Sequence, residues 1–163
     1  MKSSEIITPE GNIAQYTIDN NNELNLIFSH ANGFNGRVYN SLLHKINNNY
    51  NIHTYDMRGH GDTTLKANPK NLKSWYSFRD DLLSVIENFK TPVVLSGHSM
   101  GATASLLVAL HKPELVKKLI LIEPVILPLR YIISYRLLQF LKLAHFVSPL
   151  ARNANIRRNG WDT

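Results

Sequence analysis

The run Gly97-His98-Ser99-Met100-Gly101 holds the residues best placed to do covalent chemistry. A serine hydroxyl becomes a useful nucleophile when a base takes its proton and when amide N–H groups meet the charge that grows on the attacked carbonyl. The run follows a short apolar stretch, 92–95, that reads as a strand buried on both faces, and it precedes a helical stretch, 100–112. On such a boundary the chain must reverse within a few residues. The serine is then expected in a strained backbone conformation, and glycines at 97 and 101 remove side chains that would collide. The helix opens Ala102-Thr103-Ala104-Ser105, all small, which lets it approach a sheet closely. Ser99 Oγ would sit at the helix N-terminus, where the dipole and free N–H groups favour negative charge. Ser96 competes for the role but lacks flanking glycines at this spacing. The bland alternative is a serine that merely caps a helix in a glycine turn.

The flanking elements alternate short apolar runs with helical segments, which predicts α/β layering. Residues 5–8 and 13–18 read as a hairpin around Pro9-Glu10-Gly11-Asn12, and 24–30 as a strand with an apolar end at Leu26, Ile27 and Phe28. A helix is expected over 38–46, a strand over 51–56, and a Gly-rich loop over 58–62. A second helix over 74–89 has Phe78, Leu82, Val85, Ile86 and Phe89 on one face and Ser74 as its cap. Residues 116–122 read as a further buried strand. From Pro124 the pattern changes to an amphipathic helix over 129–147, whose Leu137, Leu138, Phe140, Leu141 and Phe146 suggest an apolar lid, and then to polar sequence.

The 163 residues, 44% apolar, suffice for one packed domain. Without cysteine there is neither a disulfide framework nor a thiolate metal site. Residues 1–15 lack an apolar signal-peptide core, 119–122 is too short to span a bilayer, and 132–147 is interrupted by Arg136 and Lys142. Stable membrane insertion is therefore not expected, and the cytoplasm is the default location. The net charge of +6 is uneven: residues 1–112 carry 10 Lys/Arg against 9 Asp/Glu, and residues 113–163 carry 8 against 3. No nucleic-acid motif accompanies the basic end, so the expected partner is a small-molecule substrate and not a nucleic acid. No cofactor and no metal are expected, and the oligomeric state stays open.

Three further segments accompany the serine turn. Ser29-His30-Ala31-Asn32-Gly33-Phe34 follows one strand, Asp56-Met57-Arg58-Gly59-His60-Gly61-Asp62 follows the next, and Leu119-Ile120-Leu121-Ile122-Glu123-Pro124 closes the last. In this order and spacing, over about residues 13–125, the sequence resembles the α/β-hydrolase superfamily of the capped serine-hydrolase type. The resemblance implies a three-layer α/β fold whose mostly parallel sheet carries helices on both faces. Residues 1–124 would form the N-terminal core and 125–163 the start of a helical cap. It implies Ser99 as nucleophile and the N–H groups of Met100 and Asn32 as an oxyanion hole. Gly97, Gly101, Gly33, His30 and His98 would support the elbow and its loop. His30 either orders its loop by hydrogen bonding or is simply a satisfied buried histidine. Arg58, His60 and Asp62 read as loop structure.

The family's triad runs Ser, then Asp or Glu, then His. After Ser99 this sequence offers Glu114, Glu123 and Asp162, and the histidines His111 and His145. Neither histidine follows a late core strand. Glu123 stands at a strand's C-terminal end, where catalytic groups of open α/β sheets collect, and is the candidate acid. Its bland reading is a carboxylate pairing with a basic neighbour such as Arg130. The chain is thus expected to be the N-terminal part of a serine hydrolase acting on a small ester, thioester, amide or lactone. It is expected to lack the base, to be inactive alone, and to expose an unpaired strand edge that favours aggregation. The competing class is a non-catalytic ligand-binding pseudoenzyme of the same fold.

Overall fold

The computed structural model describes residues 1–46, 49–68, 72, 74–126, 130, 133 and 137. The chain divides into two compact units, Met1–Val125 and Ile126–Thr163. The elements of the first unit, in chain order, are β1 (Lys2–Thr8), β2 (Gly11–Ile18), β3 (Asn25–Ser29), α1 (Asn40–Lys45), β4 (Asn51–Tyr55), α2 (Tyr76–Ile86), β5 (Val93–His98), α3 (Met100–His111) and β6 (Val116–Ile122).

The strands form one six-stranded sheet in the order β1-β2-β4-β3-β5-β6. β1 pairs with β2 and β2 with β4 antiparallel, whereas β4, β3, β5 and β6 run parallel. Alternate side chains of a strand point to opposite faces, and the two faces build separate cores. Ile27 and Leu95 join Leu82, Val85 and Ile86 of α2 and Ala104 and Val108 of α3 on one face. Leu26, Phe28 and Val94 meet Leu43 of α1 on the other. The result is a three-layer, mostly parallel α/β sheet, as the family resemblance implied. Leu43 is the one buried side chain of the short helix α1, so that helix is held to the sheet largely through it; truncating such a leucine costs about 2–5 kcal/mol.

Element boundaries differ from the sequence reading for local reasons. β5 begins after Pro92, which has no N–H to give the ladder, and runs on through Gly97 and His98 because these pair with Leu121 and Ile122. The helix expected over 38–46 is reduced to Asn40–Lys45, with Val38 and Leu42 exposed. Helix α2 starts at Tyr76, with Trp75 at the cap position. Ser74 does not take that position, but its Oγ accepts the Tyr76 N–H at 3.3 Å. β6 keeps the expected bounds but is half exposed rather than buried: it stands at the sheet's edge, with Lys117 and Lys118 exposed. Charged residues on an edge strand oppose pairing with another chain. The lid helix expected over 129–147 lies almost wholly outside the described residues. Among the described residues no helix is long and apolar enough to cross a membrane.

Candidate active site

Ser99 occupies the single residue between β5 and α3, with φ 53° and ψ −110°. A serine in this region stores of order 1–3 kcal/mol of strain and persists only where its surroundings over-determine it. Several contacts do so. The Ser99 N–H donates to Ile122 O at 2.9 Å, and Ser99 O accepts the Thr103 N–H at 3.0 Å. Thr103 Oγ1 in turn accepts the Val125 N–H at 2.8 Å, fastening the chain beyond β6 to α3. A Cβ at Gly97 would lie 2.6 Å from Gly101 O, and one at Gly101 would collide with the Ser29 carbonyl and lie 2.7 Å from His30 O. The two glycines therefore let the turn close on itself and let α3 press against the end of β3. Met100 is the first residue of α3, where a helix leaves its N–H without an intrahelical acceptor.

The segment after β3 lies on the other side of this turn. Phe34 N–H donates to Ala31 O at 3.2 Å across a tight turn in which Gly33 has φ 81°. A positive φ at the third turn position marks the type II class and favours glycine. Asn32, the second residue of that turn, is exposed. His30 is fully buried. Its Nε2 lies 2.9 Å from the Met57 N–H, which can only donate, so Nδ1 carries the ring proton and donates to Ala31 O at 2.8 Å. Burial pulls its pKa from 6.5 down to about 4, against the opposing pull of the Ala31 carbonyl. His30 is thus both a satisfied core histidine and the tie between the loops after β3 and β4.

The loop after β4 is built on Asp56, which is fully buried. Its Oδ1 accepts the Gly36 N–H at 2.7 Å, and its Oδ2 accepts the Asp62 N–H at 2.8 Å and the Tyr16 hydroxyl at 2.8 Å. Burial, then the Asp56 carboxylate, pushes the Tyr16 phenol above its ordinary value. A Cβ on Gly61 would collide with that carboxylate, which is why glycine stands there. Arg58 leaves the loop and grips Asp81 of α2 with two bonds of 2.6 Å. Burial raises the Asp81 carboxyl, and the guanidinium works against that shift. Asp62 pairs with Arg37 at 2.8 Å. Arg58 and Asp62 are loop structure here.

His98 points away from the turn. Its Nδ1 is 2.8 Å from Tyr39 Oη, which also accepts the Ala31 N–H at 3.3 Å. Its Nε2 is 3.7 Å from Glu123, whose side chain is 86% exposed and whose φ is 47°. One arrangement satisfies the whole set: Ala31 N–H to Tyr39, Tyr39 O–H to Nδ1, and Nε2–H toward Glu123. Burial raises the Tyr39 phenol. His111 ends α3, about 18 Å along the helix axis from Ser99. Among the described residues no side chain hydrogen-bonds Ser99 Oγ, and no group of three metal-ligating side chains converges. An open hollow of about 540 Å³, lined in part by Glu5, Ile7, Thr17, His53 and Phe89, lies toward the β1 edge, away from β5.

Tyr39 and Asp81 were not singled out from the sequence. Both lie in stretches whose helical spacing describes them as surface, and only tertiary contact gives them partners.

A family profile described as serine aminopeptidase, S33, matches residues 21–160. The chain belongs to that family of α/β-hydrolases. Among the family's relatives, the (E)-2-((N-methylformamido)methylene)succinate hydrolase of Acinetobacter baylyi is 26% identical over 100 residues, covering 61% of this chain and 37% of the relative. Ethanol acetyltransferase 1 of Cyberlindnera fabianii is 36% identical over 89 residues, covering 52% of this chain and 24% of the relative. The crystal structure of a hydrolase from Pseudomonas aeruginosa superposes with a TM-score of 0.66 at 21% identity, covering 73% of this chain and 44% of that one. The chain thus spans roughly a quarter to a third of the curated relatives it matches, and the fold alone is what the structural likeness shows.

Proposed function

We propose that this chain carries the nucleophile and oxyanion hole of a serine hydrolase acting by acyl transfer on a small ester, thioester or amide. Ser99 Oγ attacks the acyl carbon, and the N–H groups of Met100 and Asn32 receive the oxyanion. The leaving group departs as the tetrahedral adduct collapses, and water releases the acyl group from Ser99. Each oxyanion donor contributes about 3–4 kcal/mol, because it aims at charge that grows only in the transition state. The observation that carries this reading is the positive φ of Ser99 at the strand-to-helix junction, a conformation that a mere cap residue has no need to hold. The relatives' names, a hydrolase of an N-acyl compound and an acetyltransferase, agree with acyl chemistry.

His30 is committed to a backbone amide and His98 to Tyr39, so this reading assigns the general base to a residue outside those described. On this reading the described residues alone turn over slowly or not at all until a base is supplied. Glu123, exposed and 3.7 Å from His98 Nε2, is the secondary candidate, as the acid. The test is p-nitrophenyl acetate turnover with imidazole as surrogate base. The expected result is saturable release by the wild-type chain, above the rate of imidazole without protein, which Ser99→Ala reduces to that protein-free rate. Equal rates for the wild type and Ser99→Ala, in protein with a folded circular-dichroism spectrum, would instead favour a ligand-binding module without catalysis.

A further inference from the structure

His30 and His60 form a reciprocal brace. Each belongs to one of the two loops and accepts a backbone N–H from the other. His30 Nε2 takes the Met57 N–H at 2.9 Å, and His60 Nε2 takes the Gly33 N–H at 3.1 Å. The rings meet edge to face with centroids 5.1 Å apart. The His60 tautomer is forced in the same way as that of His30. A backbone N–H can only donate, so Nε2 is unprotonated and Nδ1–H donates to Arg58 O at 3.0 Å. The same Nε2 lies 3.2 Å from Asn32 Oδ1, a contact that becomes a hydrogen bond only when the amide turns its NH₂ toward the ring.

The geometry points to His60 as a positioning residue: by holding the Gly33 N–H it fixes the turn that aims the Asn32 amide at the acyl oxygen. The inference rests on the reading of Asn32 as an oxyanion donor. The Phe34 N–H closes the turn over Ala31, Asn32, Gly33 and Phe34 on Ala31 O at 3.2 Å, and both central residues, Asn32 and Gly33, are exposed. Turns of the two common classes differ by a flip of the peptide between their second and third residues, here Asn32 and Gly33. That flip reverses the Gly33 N–H and leaves the preceding peptide, which carries the Asn32 N–H, in place, so the bond from Gly33 to His60 sets the turn's class and, by tying the turn to the neighbouring loop, fixes where the Asn32 N–H stands. An acceptor fixed on the neighbouring loop therefore selects one state. His60 is itself held by Arg58 O, and Arg58 is anchored on α2 through Asp81. The chain of support runs from α2 through the second loop to the oxyanion turn.

The test compares His60→Ala, which removes the acceptor, with His60→Gln, whose amide oxygen reaches a similar position and restores it. In the ¹⁵N-labelled full chain, His60→Ala should speed Gly33 N–H exchange about tenfold and His60→Gln should restore protection. Phosphonylation of Ser99 by a fluorophosphonate, with imidazole present, should slow about tenfold in His60→Ala and recover in His60→Gln. Rescue by glutamine separates positioning from general loop stability, because both variants lose the imidazole ring and its packing. Gly33 exchange unchanged in His60→Ala overturns the inference. So does a labelling rate that ignores His60 while Gly33 exchange follows it. If no variant nor the wild type labels, the hydrolase reading fails, and the hold on Gly33 is decided by exchange alone.

Discussion

Asp56→Asn isolates what the loop after β4 depends on. The carboxylate accepts three donors, from Gly36, Asp62 and Tyr16, and nothing of it reaches solvent. An amide in its place has one oxygen. Its best orientation keeps the oxygen on the Tyr16 and Asp62 side and turns its NH₂ toward the Gly36 N–H, so two donors face each other. The lost bond to a charged acceptor costs about 1.5–3 kcal/mol. The two retained bonds weaken by about half when the acceptor becomes neutral, of order 1 kcal/mol each. Removing a buried charge returns part of this, leaving a net loss of about 3 kcal/mol. In a chain of this length that lowers Tm by about 6–12 °C. Urea unfolding followed by circular dichroism measures it, and a cycle with Tyr16→Phe locates it: the tyrosine substitution should cost about 1 kcal/mol less in the Asp56→Asn background than in the wild type. A loss under about 1 kcal/mol, or two costs that simply add, would refute the reasoning that this carboxylate organises the loop.

Other consequences are equally open to measurement. His30 binds its proton with a pKa of about 4 in the fold and near its ordinary 6.5 when unfolded, so the unfolded state holds more protons between those values. Stability is therefore full above pH 6.5 and falls as pH drops toward 4, by up to about 3 kcal/mol from this residue. His53, also lowered to about 4 by burial, adds in the same direction. Urea midpoints that are flat from pH 7 to about 4.5 would contradict this. Gly101→Ala sets a methyl against the carbonyls of Ser29 and His30 and should cost about 3 kcal/mol or more, since backbone cannot step aside; a near-neutral thermal midpoint would mean that α3 does not press on β3. Arg58→Ala leaves Asp81 buried without its partner, with both side chains about nine-tenths covered, and should lose about 3–5 kcal/mol in chemical denaturation. Asp81→Asn combined with Arg58→Ala should recover part of that loss.

The parts of this fold legible in the sequence are those that local chemistry dictates. Gly97 and Gly101 around Ser99, between an apolar run and small helical residues, announce a sharp turn because few other residues fit there. In the structure a Cβ at either position would make near-contacts with backbone. The alternation of strands and helices likewise follows from periodicity, whereas the three-layer sheet is what the family resemblance implied. Features set by distant partners were not legible. β6 reads as a buried strand because Leu119, Ile120, Leu121 and Ile122 are apolar, yet its edge position leaves it half exposed. His30, open to two readings from sequence, fulfils both because burial and the Met57 N–H act on one ring. The links from Tyr39 to His98 and from Arg58 to Asp81 span 59 and 23 residues of sequence. No local pattern announces contacts at such separations.

The most direct test of the nucleophile assignment is where a fluorophosphonate attaches. With imidazole as base, tryptic mapping should find the adduct on the peptide from Thr91 to Lys117, since the Lys112–Pro113 bond resists trypsin, and fragmentation should place it on Ser99 rather than on Ser96 or Ser105. Attachment at either of the other serines, or no adduct on folded protein, would contradict the account.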